Sequence, residues 1–149
     1  MKRRDFLAIA TVVAFIPAKA PAAAEAHIEV YKSPSCGCCG KWAEHLRQSG
    51  FSVSVNEISD LPEFRTRSGI SKTLASCHTA IADGYVVEGH VPAADIWDLL
   101  KNRPKSLGLA VPGMPSGSPG MDAPHAEPYD VLLVQADGTT RVFRSYPRT

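Results

Sequence analysis

Three of the chain's four cysteines fall within four residues, Cys36-Gly37-Cys38-Cys39, and no other stretch restricts the possible folds so strongly. The cluster follows a β-branched run, Ile28-Glu29-Val30-Tyr31, and the turn-forming Ser33-Pro34-Ser35. The run predicts a first strand over 27–32 that ends in that turn. Gly40 to Ser49 then reads as a helix, with Trp42, Ala43 and Leu46 at helical spacing and Gly50 as its stop. Phe51 to Asn56 alternates and predicts a second strand. Strand, loop, helix and strand form a βαβ unit whose right-handed crossover makes the strands parallel. In an open α/β sheet the reactive site lies beyond the carboxyl end of such a strand, which is where the cysteines stand.

The rest of the chain extends this pattern. Asp60, with Pro62 and Glu63 behind it, is a capping-box start for a second helix that fades near Gly69, and Ser71 to Ser76 adds a short turn. Thr79 to Ala82 and Tyr85 to Glu88 flank Asp83-Gly84, a two-residue hairpin signal. Cys77-His78 therefore enters the third strand. Pro92 opens another helix, with Ile96, Leu99 and Leu100 as its buried stripe and Trp97 at the edge. From Gly108 to His125 the sequence is rich in Gly and Pro and excludes a helix or long strand. That segment holds Met114, Met121 and His125. A final hairpin, 129–135 with 139–146, turns at Asp137-Gly138. The order β-α-β-α-β-β-α predicts a thioredoxin-like α/β fold, a mixed sheet with flanking helices, to which a Gly/Pro/Met loop and a C-terminal β-hairpin are appended.

Residues 1–26 read as an export signal. Lys2, Arg3 and Arg4 precede an apolar run, Phe6 to Ile16, too short to span a bilayer, and Ala24-Glu25-Ala26 is an A-x-A cleavage pattern. Arg3-Arg4-Asp5-Phe6-Leu7 resembles the twin-arginine signal, which exports folded proteins; an ordinary secretory signal is the alternative. Cleavage would leave one domain, 27–149, located in the periplasm. The 16 basic and 15 acidic residues of the whole chain are nearly balanced. No basic run points to nucleic acid, and no second apolar stretch points to a membrane span after cleavage.

Four motifs occur in order: Cys36-Gly37-Cys38-Cys39-Gly40-Lys41-Trp42; Ser76-Cys77-His78-Thr79; Gly89-His90-Val91-Pro92; and Gly108 to Pro115 followed by Gly117-Ser118-Pro119-Gly120-Met121. With these motifs the chain resembles the bacterial metal-binding proteins of the DUF411 family, some of which are called CopG-like and associated with copper resistance. The match runs from about Val30 to the last hairpin. The resemblance implies a thioredoxin-like fold, a periplasmic location and copper handling, with ligands from the cysteines and the Met-containing loop. Its implied partners are copper ions and other periplasmic copper-handling proteins.

The chemistry of the residues favours the same guest. Cysteines at a helix N-terminus are held towards thiolate by unpaired N–H groups and the helix dipole. Thiolates select Cu(I) or zinc over Mg²⁺ and Ca²⁺, and thioethers beside them tilt the choice to Cu(I), with zinc as the alternative. The expected ligand set is Cys36, Cys38, Cys39, Cys77, His78, Met114, Met121 and His125. The rival reading is a thiol-disulfide oxidoreductase using Cys36-x-x-Cys39. Against it, Cys38 lies between the pair, and the loop before the third strand carries Cys77-His78 where thioredoxin-like oxidoreductases place a cis-proline. A structural disulfide is a third reading, and so short a loop would stabilise little. His90 is ranked below Cys77 and His78, as a residue bonded to local backbone. His45 is expected to be solvated, and Trp42 and Trp97 to be core. Cleavage after Ala26 would make His27 the N-terminal residue, and an amino-terminal histidine can chelate Cu(II) as a second site.

Overall fold

A computed structural model describes residues 26–147. The expected signal segment, up to residue 25, lies outside the described residues. Seven strands and three helices follow in chain order: β1 (His27–Lys32), α1 (Cys38–Gln48), β2 (Ser52–Glu57), α2 (Leu61–Arg67), a 3-10 turn (Lys72–Leu74), β3 (His78–Ala82), β4 (Tyr85–Glu88), α3 (Ala93–Asn102), β5 (Gly108–Ala110), β6 (Tyr129–Val134) and β7 (Thr140–Tyr146). All seven strands join one mixed sheet in the order β2-β1-β3-β4-β5-β6-β7. β1 pairs in parallel with β2 and antiparallel with β3, and β4 pairs antiparallel with β3 and in parallel with β5.

Strand side chains alternate between two faces, and the two hydrophobic clusters divide accordingly. Val87, Leu109 and Leu133 pack with Trp42 and Leu46 of α1 and Ile96 and Leu99 of α3. Their chain neighbours Val86, Ala110 and Val134 pack on the other face with Ile70 and Leu74, from the segment after α2. Each fully buried Leu or Ile contributes on the order of 1.5–3 kcal/mol. The sheet is therefore fixed between α1 and α3 on one side and the α2 segment on the other.

The local signals are met where side-chain chemistry dictates them. Asp60 Oδ1 accepts from Glu63 N at 2.9 Å, which caps α2. Asp83 (φ 46°) and Gly84 (φ 86°) are both left-handed, as a type I′ hairpin turn requires. Three details differ from expectation. α1 starts at Cys38 rather than Gly40, so Cys38 and Cys39 lie inside its first turn. Gly108–Ala110, at the start of the Gly/Pro segment, forms the short strand β5, because β4 and the C-terminal hairpin both offer open edges to it. Trp97 is 37% exposed; its ring stacks on Phe51 at 4.1 Å and its Nε1 donates to Ser49 O, so it covers the end of the core instead of filling it.

Candidate metal site

The site is assembled from α1 and the two arms of the β3–β4 hairpin, with the Gly/Pro loop packed over it. Gly37 precedes α1 and supplies no side-chain cap to the N–H groups of the first turn, in which Cys38 and Cys39 lie. Cys36 and Cys39 are joined in a disulfide, while Cys38 and Cys77 are free thiols. Cys38 Sγ lies 3.6 Å from Cys36 Sγ and 3.7 Å from Cys77 Sγ. Cys39 is buried, with its Sγ 3.7 Å from the Cys77 carbonyl. The topology thus brings the fourth cysteine onto the other three.

On the hairpin, Thr79 pairs with Glu88 and Ala80 with Val87. Two steps beyond Thr79, away from the turn, Cys77 comes opposite His90. Cys77 Sγ is 2.9 Å from His90 Nε2 and 3.2 Å from His78 Nδ1. Both rings are fully buried. Donor atoms of Cys36, Cys38, Cys39 and Cys77 all lie within 4.8 Å of one another, and so do those of Cys77, His78 and His90. Cys77 belongs to both groups, and a bridging thiolate is within its chemistry.

His90 is the residue that the sequence reading ranked too low. Its Nδ1 is 2.6 Å from the Pro119 carbonyl oxygen, which can only accept, so Nδ1 carries the proton. Nε2 is then a bare lone pair directed at Cys77 Sγ, the arrangement in which an outer carbonyl orients a metal-ligating imidazole. The signal was present in the sequence. With the turn at Asp83-Gly84, Cys77 and His90 are equally far from the hairpin's midpoint and must face each other.

Burial sets the protonation states. It pushes the Cys77 thiol up to about 12, with the nearby Cys38 thiol adding to the effect. Burial, and then His90, hold His78 down at about 3. Burial also lowers His90, opposed by its bond to Pro119. Cys77 is therefore a thiol and His78 an unprotonated imidazole in the metal-free pocket. His78 Nε2 is buried without a partner. A buried nitrogen left so costs about 1–3 kcal/mol, and such a group is a site where a ligand would be gained. Soft sulfur beside neutral imidazole nitrogen is a donor set that fits copper or zinc.

The Gly/Pro loop is tied to the site at both of its stems. At one, Gly113 N donates to Ala75 O and Ser76 Oγ donates to Gly113 O, so Met114 follows a residue held beside Cys77; its side chain is 52% exposed. At the other, Pro119 meets His90, and Gly120 (φ 85°) lies so close to α1 that a Cβ would stand 2.9 Å from Trp42 N and 3.3 Å from Cys38 O. Met121 follows directly, half-buried, with its N–H donating to Ser118 O. Lys41 and Asp122 close the contact with an exposed ion pair at 3.0 Å. His125 is exposed on this loop and belongs to neither donor group. His45, expected to be solvated, is half-buried: its Nε2 accepts from Ala93 N at 3.1 Å and burial lowers its pKa.

The family described as "Protein of unknown function, DUF411" matches residues 74–121, the stretch from the Cys77 arm to Met121. A solved structure titled "Copper resistance protein copG- Form 2" is 41% identical, with a TM-score of 0.79, over 83% of this chain and 99% of that one. "Copper resistance protein copG- Form 1" is 42% identical, with a TM-score of 0.77, over 81% and 97%. The chain is a CopG-like member of the DUF411 family. No curated protein matches it. No helix among the described residues is long and apolar enough to cross a membrane.

Proposed function

We propose that this protein binds copper as Cu(I) in the periplasm and serves copper tolerance by buffering the ion, passing it to other periplasmic copper-handling proteins, or changing its redox state. The observation that carries the reading is the convergence of Cys38, Cys77, His78 and His90, where the lone pair of His90 Nε2 is already directed at Cys77 Sγ. Cys36, Cys38, Cys39 and Cys77 supply thiolates once the Cys36–Cys39 bond is reduced, and His78 and His90 supply imidazole nitrogen. Met114, Met121 and His125 are added donors from the loop. Thioether in the set favours Cu(I) over zinc, which remains the alternative guest. The names of the two copper resistance neighbours point the same way. The signal-like segment at 1–26 and its paired arginines support export, with cleavage leaving residues 27–149 as the working domain.

A bound soft cation takes the place of the Cys77 proton, so uptake releases protons and weakens as the pH falls. Cys39, His78 and His90 are buried, and the soft sulfur and imidazole donors disfavour competing hard ions. The loop that orients His90 also covers the site, so loop movement and ligand orientation are linked through one carbonyl, that of Pro119.

A second reading, thiol-disulfide exchange by Cys36 and Cys39, is favoured by the bond between them. Anaerobic titration of the reduced protein with Cu(I) and with Zn²⁺, repeated on Cys77→Ser, separates the two. Tight Cu(I) binding that weakens at least ten-fold in the variant is expected. Absent binding, together with dithiol-dependent disulfide reductase activity, would establish the second reading instead.

A further inference from the structure

We infer that the buried Arg65–Glu88 ion pair is a positioning device for the site, setting where Cys77 and His78 stand relative to α1; the inference rests on the proposed copper-binding reading. Glu88, the last residue of β4, is fully buried and directed at the opposite arm of its hairpin. Its Oε1 accepts from Ser76 N at 2.7 Å and from Arg65 Nε at 2.7 Å, and its Oε2 accepts from Thr79 Oγ1 at 2.5 Å. Arg65, reaching over from α2, also donates to Ser76 O at 2.7 Å. One carboxylate therefore holds the residue before Cys77 and the residue after His78, with the backbone of Ser76 gripped on both its N–H and its C=O.

The placement of the pair suits this role better than a purely stabilising one. A buried ion pair adds little net stability, because the desolvation of both charges offsets their attraction, but it fixes geometry through directed bonds. Here every one of those bonds ends on the four residues 76–79 or within the pair. Ser76 and Cys77 stand outside the regular ladder of β3, which begins at His78, so backbone pairing does not fix them. The guanidinium fork of Arg65 uses two different nitrogens on two different acceptors, which a lysine cannot reproduce.

The test uses two readouts. One is Cu(I) affinity of the reduced protein, measured by competition with a Cu(I)-selective chelator. The other needs no metal: the effective concentration of Cys38 towards Cys77, read from their disulfide exchange with glutathione in a Cys36→Ser, Cys39→Ser background. Glu88→Gln should lower both about ten-fold or more, and Thr79→Val, which removes one bond and keeps the shape, should lower both several-fold. Asp95→Asn, which weakens an ion pair between a buried carboxylate and the exposed Arg144, with no member in the cluster, should leave both unchanged. If Glu88→Gln does not fold, Thr79→Val decides alone. Unchanged values in the folded variants, or an equal loss in Asp95→Asn, would overturn the inference. A parent that does not bind Cu(I), but whose thiol effective concentration falls in Glu88→Gln, would remove the copper reading and leave the positioning role standing.

Discussion

The metal-free, reduced protein should lose stability between about pH 7 and about pH 5 chiefly through His78. The ring is fully buried, lies 4.2 Å from the Trp42 ring, and has no partner at Nε2. Burial first, and His90 second, hold it down at about 3, against 6.5 for an ordinary histidine. A group depressed in this way contributes its full stability above the unfolded value and loses it as the pH falls towards the native one, because only the unfolded chain takes up the proton. Each unit of that interval is worth about 1.4 kcal/mol, so by about pH 5 the loss is about 2 kcal/mol. His90 and His45, also lowered by burial, act in the same direction. Glu88 and Asp95, whose carboxyls burial raises, act in the opposite one. A His78→Leu variant isolates the term, since any constant change from placing an apolar group there cancels when each protein is compared with itself. Urea unfolding with reductant and a copper chelator, run at both pH values, should show wild type losing about 2 kcal/mol more than the variant. Equal losses in the two proteins would refute the reasoning.

Other substitutions test the joints of the site. Gly120→Ala places a Cβ 2.9 Å from Trp42 N at a left-handed backbone position; it should cost about 1–3 kcal/mol in thermal or urea unfolding. The same variant should weaken Cu(I) in chelator competition, because the Pro119 carbonyl moves off His90. Trp42→Phe keeps most of the ring but deletes the 2.9 Å bond from Nε1 to the buried Val91 carbonyl, for an expected loss of about 1–3 kcal/mol by urea unfolding. Lys41→Ala removes an ion pair exposed on both sides. It should change stability by less than about 1 kcal/mol, and a larger effect would mean that the loop is held differently.

The fold was legible wherever a short-range signal carried it. The β1–α1–β2 unit, the Asp60 cap and the two Asp-Gly turns are each decided by a few neighbouring residues, and each appears where those residues place it. β5 was not legible, because three residues within a Gly/Pro segment have no periodicity of their own and become a strand only through the two edges they join. At the site, the cysteines of α1 and the Cys77-His78 pair were legible as donors. The position of His90 opposite Cys77 was legible from the hairpin's symmetry, but its tautomer was not, since that depends on a carbonyl from Pro119, 29 residues away. His45 and Trp97 were misjudged in opposite directions: His45, expected to be solvated, is half-buried against Ala93 N at the start of α3, whereas Trp97, expected to be core, is partly exposed and only stacks on Phe51.

The tryptophan of the first motif explains why the two halves of the site hold a fixed distance. Trp42 stands one turn beyond Cys38 and Cys39 on α1. Its ring packs against His78, its Nε1 donates to the carbonyl of Val91, next to His90, and its backbone nitrogen is the surface on which Gly120 rests. One side chain and its backbone thus touch the hairpin arm with Cys77 and His78, the arm with His90, and the loop that sets the His90 tautomer. In a close-packed interior these contacts move together. A change at any of the three is transmitted to the cysteines through a single rigid residue, and the cysteine cluster that dominates the sequence is placed by packing that begins three residues after it.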